Sequence, residues 1–381
     1  MGRCSRPVPW ISRGWPALAC EEGLEHGAGA WPCEEGRGQG AGASACEEGA
    51  GQGAGAWPAG PLGPAGPDLR ADLAGIPLAN PVLVASGTFG YGREMARWFD
   101  LRLVGGIVTK GTTLAPRAGN PPPRIAETPA GLLNSIGLEN PGVETVIREE
   151  IPFLRQFGVP IIVNIAGERV EEYAALAAKL DGVEGVSGLE VNVSCPNVRA
   201  GGMLFGTDPA ASAAVVRAVR AVTCLPLLVK LTPNVTDIVA VARAAREAGA
   251  DALTLINTLK GMAIDVRRRR PLLGAISGGL SGPAIKPVAL RMVWEVAAAV
   301  DLPIVGCGGI MTGRDAVEFL LAGATVVAVG SATLVDPLAA PRIVTEMAAC
   351  LAGEGFRSVR EVVGLAHRAA LEPLAEGSEQ S

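Results

Sequence analysis

Residues 188–206 read GLEVNVSCPNVRAGGMLFG. Leu189 to Val193 is a short apolar run, with β-branched Val191 and Val193 on either side of Asn192, and has the composition of a buried strand. The run breaks at Ser194-Cys195-Pro196-Asn197 and passes into a glycine-containing loop. An unpaired buried amide costs roughly 1–3 kcal/mol, so Asn192 requires a partner. A cysteine just past a strand end, ahead of a proline turn, stands where strand scaffolds carry reactive groups. A structural cysteine beside a turn reads the same way on this stretch alone.

Outward from this strand the same pattern recurs. Val82–Ala85, Gly106–Thr109, Pro160–Ile165, Leu227–Leu231, Ala252–Ile256, Pro303–Val305 and Val326–Val329 are apolar, nearly continuous in Val, Ile and Leu, as parallel strands covered by helices should be. Between them lie helical signals. Val170, Tyr173, Ala177 and Leu180 recur at helical spacing, as do Ile285, Val288, Met292 and Val296. Asp208-Pro209 opens a helix with proline in its first turn, and Thr312 with Asp315 has the spacing of a capping box. Eight strand–helix units over about 300 residues predict an α/β protein, a (β/α)8 TIM barrel. An open doubly wound sheet is the second choice, but no GxGxxG follows the first strand.

The chain has 381 residues, a formal charge of -5 and 4% aromatic residues, and no basic face speaks for a nucleic-acid partner. Arg267 to Arg270, closed by Pro271, reads as a solvated loop. No apolar run reaches the roughly 20 residues of a membrane span, and no signal-peptide order opens the chain, so cytoplasmic localisation with reduced thiols is the expectation. None of the eight cysteines is spaced CxxC, which argues against a metal or iron–sulfur cage in this chain. Segments CEEGLEHGAGAWP, CEEGRGQGAGASA and CEEGAGQGAGAWP begin at Cys20, Cys33 and Cys46, a 13-residue repeat rich in Gly and Ala. Such composition cannot build a core to offset chain entropy. Residues 1–67 are therefore expected to be a low-complexity tail, compatible with sequence upstream of a misassigned start, and residues 68–381 the barrel domain.

On a barrel, chemistry sits at the C-terminal ends of the strands. In order these ends carry Ser86-Gly87-Thr88-Phe89-Gly90, Lys110-Gly111, Asn164, Asn192 leading to Cys195, Lys230, Ile256-Asn257-Thr258, Gly306-Cys307-Gly308-Gly309 and Gly330-Ser331. Each alone reads as an ordinary structural residue. Two lysines, several amides and two glycine-rich ends on one rim point to an anionic ligand. The ends of the seventh and eighth strands are where barrels commonly hold phosphate through backbone N–H groups. A rim ammonium can stabilise negative charge on a reduced flavin or a substrate carboxylate. A flavin mononucleotide across the mouth would use both features. Two other classes stay open: a barrel forming a Schiff base at Lys230 or Lys110, and a flavin-carrying electron-transfer subunit without substrate chemistry of its own.

ANPVLVASGTFGYGRE, the Lys110-Gly111-Thr112-Thr113 step, PRAGNPPPRIAET, GLLNSIGLENPG, EVNVSCPNV, INTLKGM, GGLSGPAIKP, GCGGI and VGSA follow one another in this chain. In this order they resemble the dihydroorotate dehydrogenases of pyrimidine biosynthesis, in particular the NAD-linked class 1B catalytic subunits. The resemblance runs from Leu69 to Leu371, and the tail has no counterpart in it. It implies FMN held by Ser86, Lys110, Gly111, Asn164, Asn192, Lys230, Ile256, Gly282, Gly308, Gly309, Gly330 and Ser331. It implies a pyrimidine held by Lys110, Asn134, Ser135, Ile136, Gly137, Leu138, Asn192, Asn257 and Thr258, with Cys195 as catalytic base. Gly111 and Ser331 stand where relatives often carry other small residues. It further implies a homodimeric core joined by a second subunit that carries FAD and an iron–sulfur cluster and passes electrons to NAD, a heterotetramer. The fumarate-dependent class 1A homodimers and the FMN subunits of dihydropyrimidine dehydrogenase type are the nearer alternatives; GGLSGPAIKP favours class 1B. A quinone-linked membrane form is disfavoured, since its base is usually serine. His26 lies in the tail and His367 near the C-terminus, neither at a strand end, so a histidine base is not expected. The loop from Pro196 to Phe205, with Gly201-Gly202, is suited to act as a lid.

Overall fold

The structure is a computed structural model that describes residues 66–193 and 205–371. The tandem repeat, Cys195 and the loop from Pro196 to Leu204 lie outside the described residues.

Eight parallel strands close a barrel: β1 (Val82–Val84), β2 (Gly106–Val108), β3 (Ile161–Ile165), β4 (Val186–Asn192), β5 (Leu227–Lys230), β6 (Ala252–Leu255), β7 (Ile304–Cys307) and β8 (Val326–Val329). Each pairs with the next in sequence, and β8 pairs with β1. Every expected barrel strand is present. Two differ in extent by more than one residue. β4 begins at Val186 rather than Leu189, and β7 runs on through Gly306 to Cys307. Gly306 stays in register, level with Leu255 and Val327. A Cβ there would stand 2.6 Å from Phe319 Cδ1, so the glycine lets the helix Gly313–Leu321 lie close against the strand.

Side chains alternate along each strand. One set, including Val84, Val163, Leu189, Val191, Val229 and Val327, packs outward on the helices. The other, including Leu83, Ile162, Leu228, Ala252, Val305 and Val326, fills the lumen. An antiparallel hairpin, Ala71–Leu73 with Ile76–Leu78, adds Leu73, Ile76 and Leu78 to the luminal cluster and stops one end of the barrel. Helix Val170–Leu180 buries Tyr173, Leu176, Ala177 and Leu180. Helix Pro209–Arg220 is capped by Asp208, which accepts from the Ala210 and Ala211 N–H groups, and Thr312 and Asp315 form the expected capping box. In helix Lys286–Ala299, Ile285 is the N-cap residue, Val288 is half-buried, and Ala289, Met292, Val293 and Val296 are buried. Arg267 to Arg270 lie exposed around a short hairpin, Ile264–Asp265 with Arg270–Pro271.

A feature not expected from the sequence is a four-stranded antiparallel sheet: Leu259–Gly261, Gly278–Ser281, Gly131–Asn134 and Ile125–Thr128, in that spatial order. Its residues Ile125, Leu132, Asn134 and Ser281 wall a cavity at the barrel mouth. Among the described residues, no helix is long and apolar enough to cross a membrane.

Candidate active site

The lumen changes character along its length. At one level it is apolar: Ile162, Leu228 and Ala252. Two residues on, the same face of β3, β5 and β6 carries Asn164, Lys230 and Thr254, and β4 carries Glu190 and then Asn192. All five are buried. On the opposite side the corresponding residues are Cys307 of β7 and Ala328 of β8.

These polar side chains form one network. Glu190 Oε1 accepts from Asn164 Nδ2 at 2.6 Å and from Ser86 Oγ at 3.1 Å, while Oε2 accepts from Thr254 Oγ1 at 3.1 Å. Lys230 Nζ donates to Ser86 Oγ at 3.1 Å and lies 3.7 Å from Glu190 Oε1. Burial works against the Lys230 ammonium, but the Glu190 charge outweighs it and holds the lysine above its ordinary range. A Schiff-base lysine needs the opposite shift, so the geometry speaks against that class of chemistry. Burial pushes the Cys307 thiol up, only partly offset by the Lys230 charge, which makes it a poor thiolate. Asn192 Oδ1 accepts from Asn257 Nδ2 at 3.4 Å, and the Asn192 carbonyl accepts from the Tyr173 hydroxyl at 2.9 Å.

Above the network opens a cavity of about 240 Å³. The structure brings to its wall Ser86, Lys110, Gly111, Asn134, Ile136, Gly137, Leu138, Asn164, Asn192, Lys230, Ile256, Asn257, Thr258, Gly308, Gly309, Gly330 and Ser331. Two residues named from the sequence stand behind the wall. Ser135 is fully buried and its hydroxyl accepts from Asn120 Nδ2 at 2.9 Å, because it continues the strand Gly131–Asn134 with its side chain on the other face. Gly282 lies under the Gly309 turn: a Cβ on Gly309 would stand 2.9 Å from the Gly282 carbonyl oxygen. Cys195 lies outside the described residues, three positions beyond the end of β4. Glu190 was missed from the sequence, and Cys307, which the sequence places at the seventh strand end, was given no role there. The signal for Glu190 was present, a carboxylate two positions before Asn192 in an apolar strand.

A family model described as dihydroorotate dehydrogenase matches residues 68–351. The "Dihydroorotate dehydrogenase B (NAD(+)), catalytic subunit" of Desulforudis audaxviator is 61% identical over 296 residues, which are 78% of this chain and 96% of that protein. Proteins of the same description from Geobacter sp. strain M21 and Citrifermentans bemidjiense are each 57% identical over 298 residues, 78% of this chain and 98% of theirs. The chain belongs to the dihydroorotate dehydrogenase family.

A dihydroorotate dehydrogenase of this kind is an FMN-dependent oxidoreductase, and the cavity suits that cofactor on its own terms. Asn164 Oδ1 is buried with no hydrogen-bond partner among the described residues, an acceptor waiting for a ligand N–H or O–H. A Cβ added to Gly330 would meet only Ala85 Cβ, at 3.6 Å, so the wall there is open to a ligand. Two ammonium groups, Lys230 and Lys110, face the same space, the latter 3.9 Å from Glu139. Amides that both donate and accept, beside cations and bare backbone, match a flat polar ring carrying a phosphate tail. No group of three or more His, Cys, Asp or Glu placed to hold a metal is found among the described residues.

Proposed function

We propose that this chain oxidises dihydroorotate to orotate at the barrel mouth, in pyrimidine synthesis, with Cys195 taking the C5 proton. When bound, FMN supplies the acceptor for the C6 hydride. The reading is carried by one observation: side chains of β3 to β6 and bare backbone after β7 and β8 converge on a single cavity. On this reading Ser86, Gly111, Asn164, Lys230, Ile256, Gly308, Gly309, Gly330 and Ser331 hold the cofactor, with Gly282 behind the wall supporting the Gly309 turn. Lys110 and Asn192 reach both ligands. Asn134, Ile136, Gly137, Leu138, Asn257 and Thr258 hold the pyrimidine, its ring amides paired by asparagine side chains and its carboxylate by Lys110, with Ser135 supporting them from behind the wall.

Four features of this chain support a cysteine base. Cys307, the thiol that does line the cavity, is kept protonated by burial. His367 stacks on Trp294, with ring centroids 3.7 Å apart, and its Nε2 lies 3.0 Å from the Ala322 carbonyl, away from the cavity. Glu190 is committed to three hydrogen bonds below it. Cys195 follows β4 in the order that a strand-end catalytic group requires.

The relatives named as catalytic subunits of NAD(+) enzymes support a partner. We assign electron transfer to NAD through an FAD and iron–sulfur subunit on a homodimeric core, in the cytoplasm, with residues 68–381 as the catalytic unit and residues 1–67 dispensable. The test is purification of the whole chain. It is expected to be yellow, to release about one FMN per chain on denaturation, and to bleach anaerobically on addition of dihydroorotate but not dihydrouracil. A colourless protein, or equal bleaching by dihydrouracil, overturns the reading.

A further inference from the structure

Glu190 is the least expected group in the lumen. It is 1% exposed, beneath the cavity rather than on its wall, and touches no solvent that could hydrate a carboxylate. A buried carboxylate is costly unless paired and fully hydrogen-bonded. Glu190 meets that condition with hydrogen-bond donors from three strand ends, Ser86 after β1, Asn164 of β3 and Thr254 of β6, and with the Lys230 ammonium of β5 paired to it at 3.7 Å. Three of those four also line the cavity.

Two consequences follow from elementary donor and acceptor rules. A carboxylate only accepts, so the Asn164 amide must turn its Nδ2 toward Glu190, and this aims its Oδ1 elsewhere. That oxygen is the buried acceptor with no partner, and it lies 3.0 Å from where a Cβ on Gly111 would stand, at the cavity wall. An ammonium as buried as Lys230 would shed its proton if nothing compensated, and Glu190 is the compensating charge at 3.7 Å.

We propose that Glu190 is a positioning residue of the flavin site: it holds Lys230 as a cation and fixes the Asn164 amide so that its oxygen is left for the ligand. The proposal rests on the reading that FMN occupies this cavity. The titratable groups facing Lys230 are Glu190 from β4 and Cys307 from β7; Lys110 also lines the cavity but is drawn toward Glu139. In the wild type the Lys230 pKa is raised. Its charge is therefore complete at all pH values below the ordinary lysine range and is lost only as pH climbs through the raised value.

The experiment is FMN binding to the flavin-stripped full-length chain, followed by fluorescence quenching between about pH 6 and pH 9. Glu190→Gln keeps the volume and lets the side chain still accept from Asn164, but removes the charge. Without the Glu190 charge burial lowers the Lys230 pKa, so the affinity of Glu190→Gln is expected to fall about tenfold or more from the acid to the alkaline end. Wild type stays flat with respect to this group. Glu190→Gln/Lys230→Met should lose the new pH dependence. A purely structural role would lower affinity evenly at every pH. If Glu190→Gln alone does not fold, a folded double variant supports the pairing, since it leaves no buried charge unpaired; an unfolded double variant overturns it. A flat profile in Glu190→Gln, with affinity within about twofold of wild type, also overturns it. Wild type that binds no FMN is a different failure, that of the flavin reading itself.

Discussion

The two sides of the barrel mouth are built on opposite principles. Around the ends of β3 to β6 the protein spends side chains: Asn164, Glu190, Asn192, Lys230 and Thr254 are all buried and all polar. Around the ends of β7 and β8 it withholds them. The luminal residues there are Cys307 and Ala328, and the rim beyond is Gly308, Gly309, Gly330 and Ser331. The first side is costly in desolvation and is stabilised by a closed hydrogen-bond network. The second is limited sterically, and its groups are backbone N–H donors that need no side chain to be held in place. A ring with alternating donors and acceptors suits the first side, and a phosphate the second. Substitutions on the two sides should therefore fail in different ways: chemistry or charge on one, backbone geometry on the other.

The largest effect is expected on the side-chain side, at Cys195. Cys195→Ser nearly conserves volume, so flavin content should stay that of wild type. Flavin reduction by dihydroorotate, measured anaerobically by stopped flow, should slow by about 10²–10⁴-fold, the usual loss when a general base is removed. The deficit should narrow as pH rises, because a hydroxyl ionises far less readily than a thiol near neutrality. Equal rates at neutral pH would mean that the proton leaves by another group.

On the backbone side the corresponding break is Gly309→Ala. Gly309 has φ +80°, where an L side chain is strained, and a new Cβ would stand 2.7 Å from Lys286 Cβ and 2.9 Å from both Lys286 N and the Gly282 carbonyl oxygen. Neither backbone group can move freely, since Gly282 begins the turn Pro283–Ile285 and Lys286 is tied through its Nζ to Asp315 at 2.6 Å and Glu318 at 2.9 Å. Strain of this kind costs about 1–3 kcal/mol. The expected outcome is a Tm lowered by roughly 2–10 °C together with loss of bound FMN. Unlike Cys195→Ser, the protein should be pale before any substrate is added. A yellow, thermally unchanged Gly309→Ala protein would show that this rim does not depend on its backbone.

The same contrast explains what could be read from the sequence. Asn164, Asn192 and Lys230 stood out because each interrupts a run of Val, Ile and Leu, and a lone polar residue in such a run needs a reason. Glu190 satisfies that criterion equally and shares a face with Asn192, yet it has no place among the ligand-holding positions of the family pattern, because it acts one layer below the cavity. Cys307 stood at the seventh strand end but was given no role, because the glycines after it drew the reading toward phosphate; the close packing of Phe319 on Gly306 lets the strand run on to Cys307. The antiparallel sheet over the mouth was invisible because its strands are short and glycine-rich, and because Gly131–Asn134 pairs with Gly278–Ser281, far apart in the chain. Ser135 and Gly282 were taken from motifs as units; the alternation of side chains in an extended segment puts Ser135 on the far face. The barrel itself was legible because eight apolar runs with helices between them satisfy few other folds.

The smallest effect is expected at Gly330, and it sharpens the comparison most. Gly330 lies on the same backbone side as Gly309 and lines the cavity, but an added Cβ would meet only Ala85 Cβ, at the ordinary contact distance of 3.6 Å. Folding therefore has no reason to resist Gly330→Ala. Without bound flavin its stability should stay within about 0.5 kcal/mol of wild type, or rise slightly, since alanine restricts the unfolded chain more than glycine does. The methyl group instead stands where a ligand would approach the backbone. An inserted methyl in a filled site costs about 1 kcal/mol at the lower end, roughly fivefold in FMN affinity. Differential scanning fluorimetry of the flavin-free protein, beside an FMN titration, separates the two quantities. Unchanged FMN affinity would mean that no ligand comes close to the backbone after β8. A fall in flavin-free stability as large as that of Gly309→Ala would mean that the openness at Gly330 serves folding rather than binding.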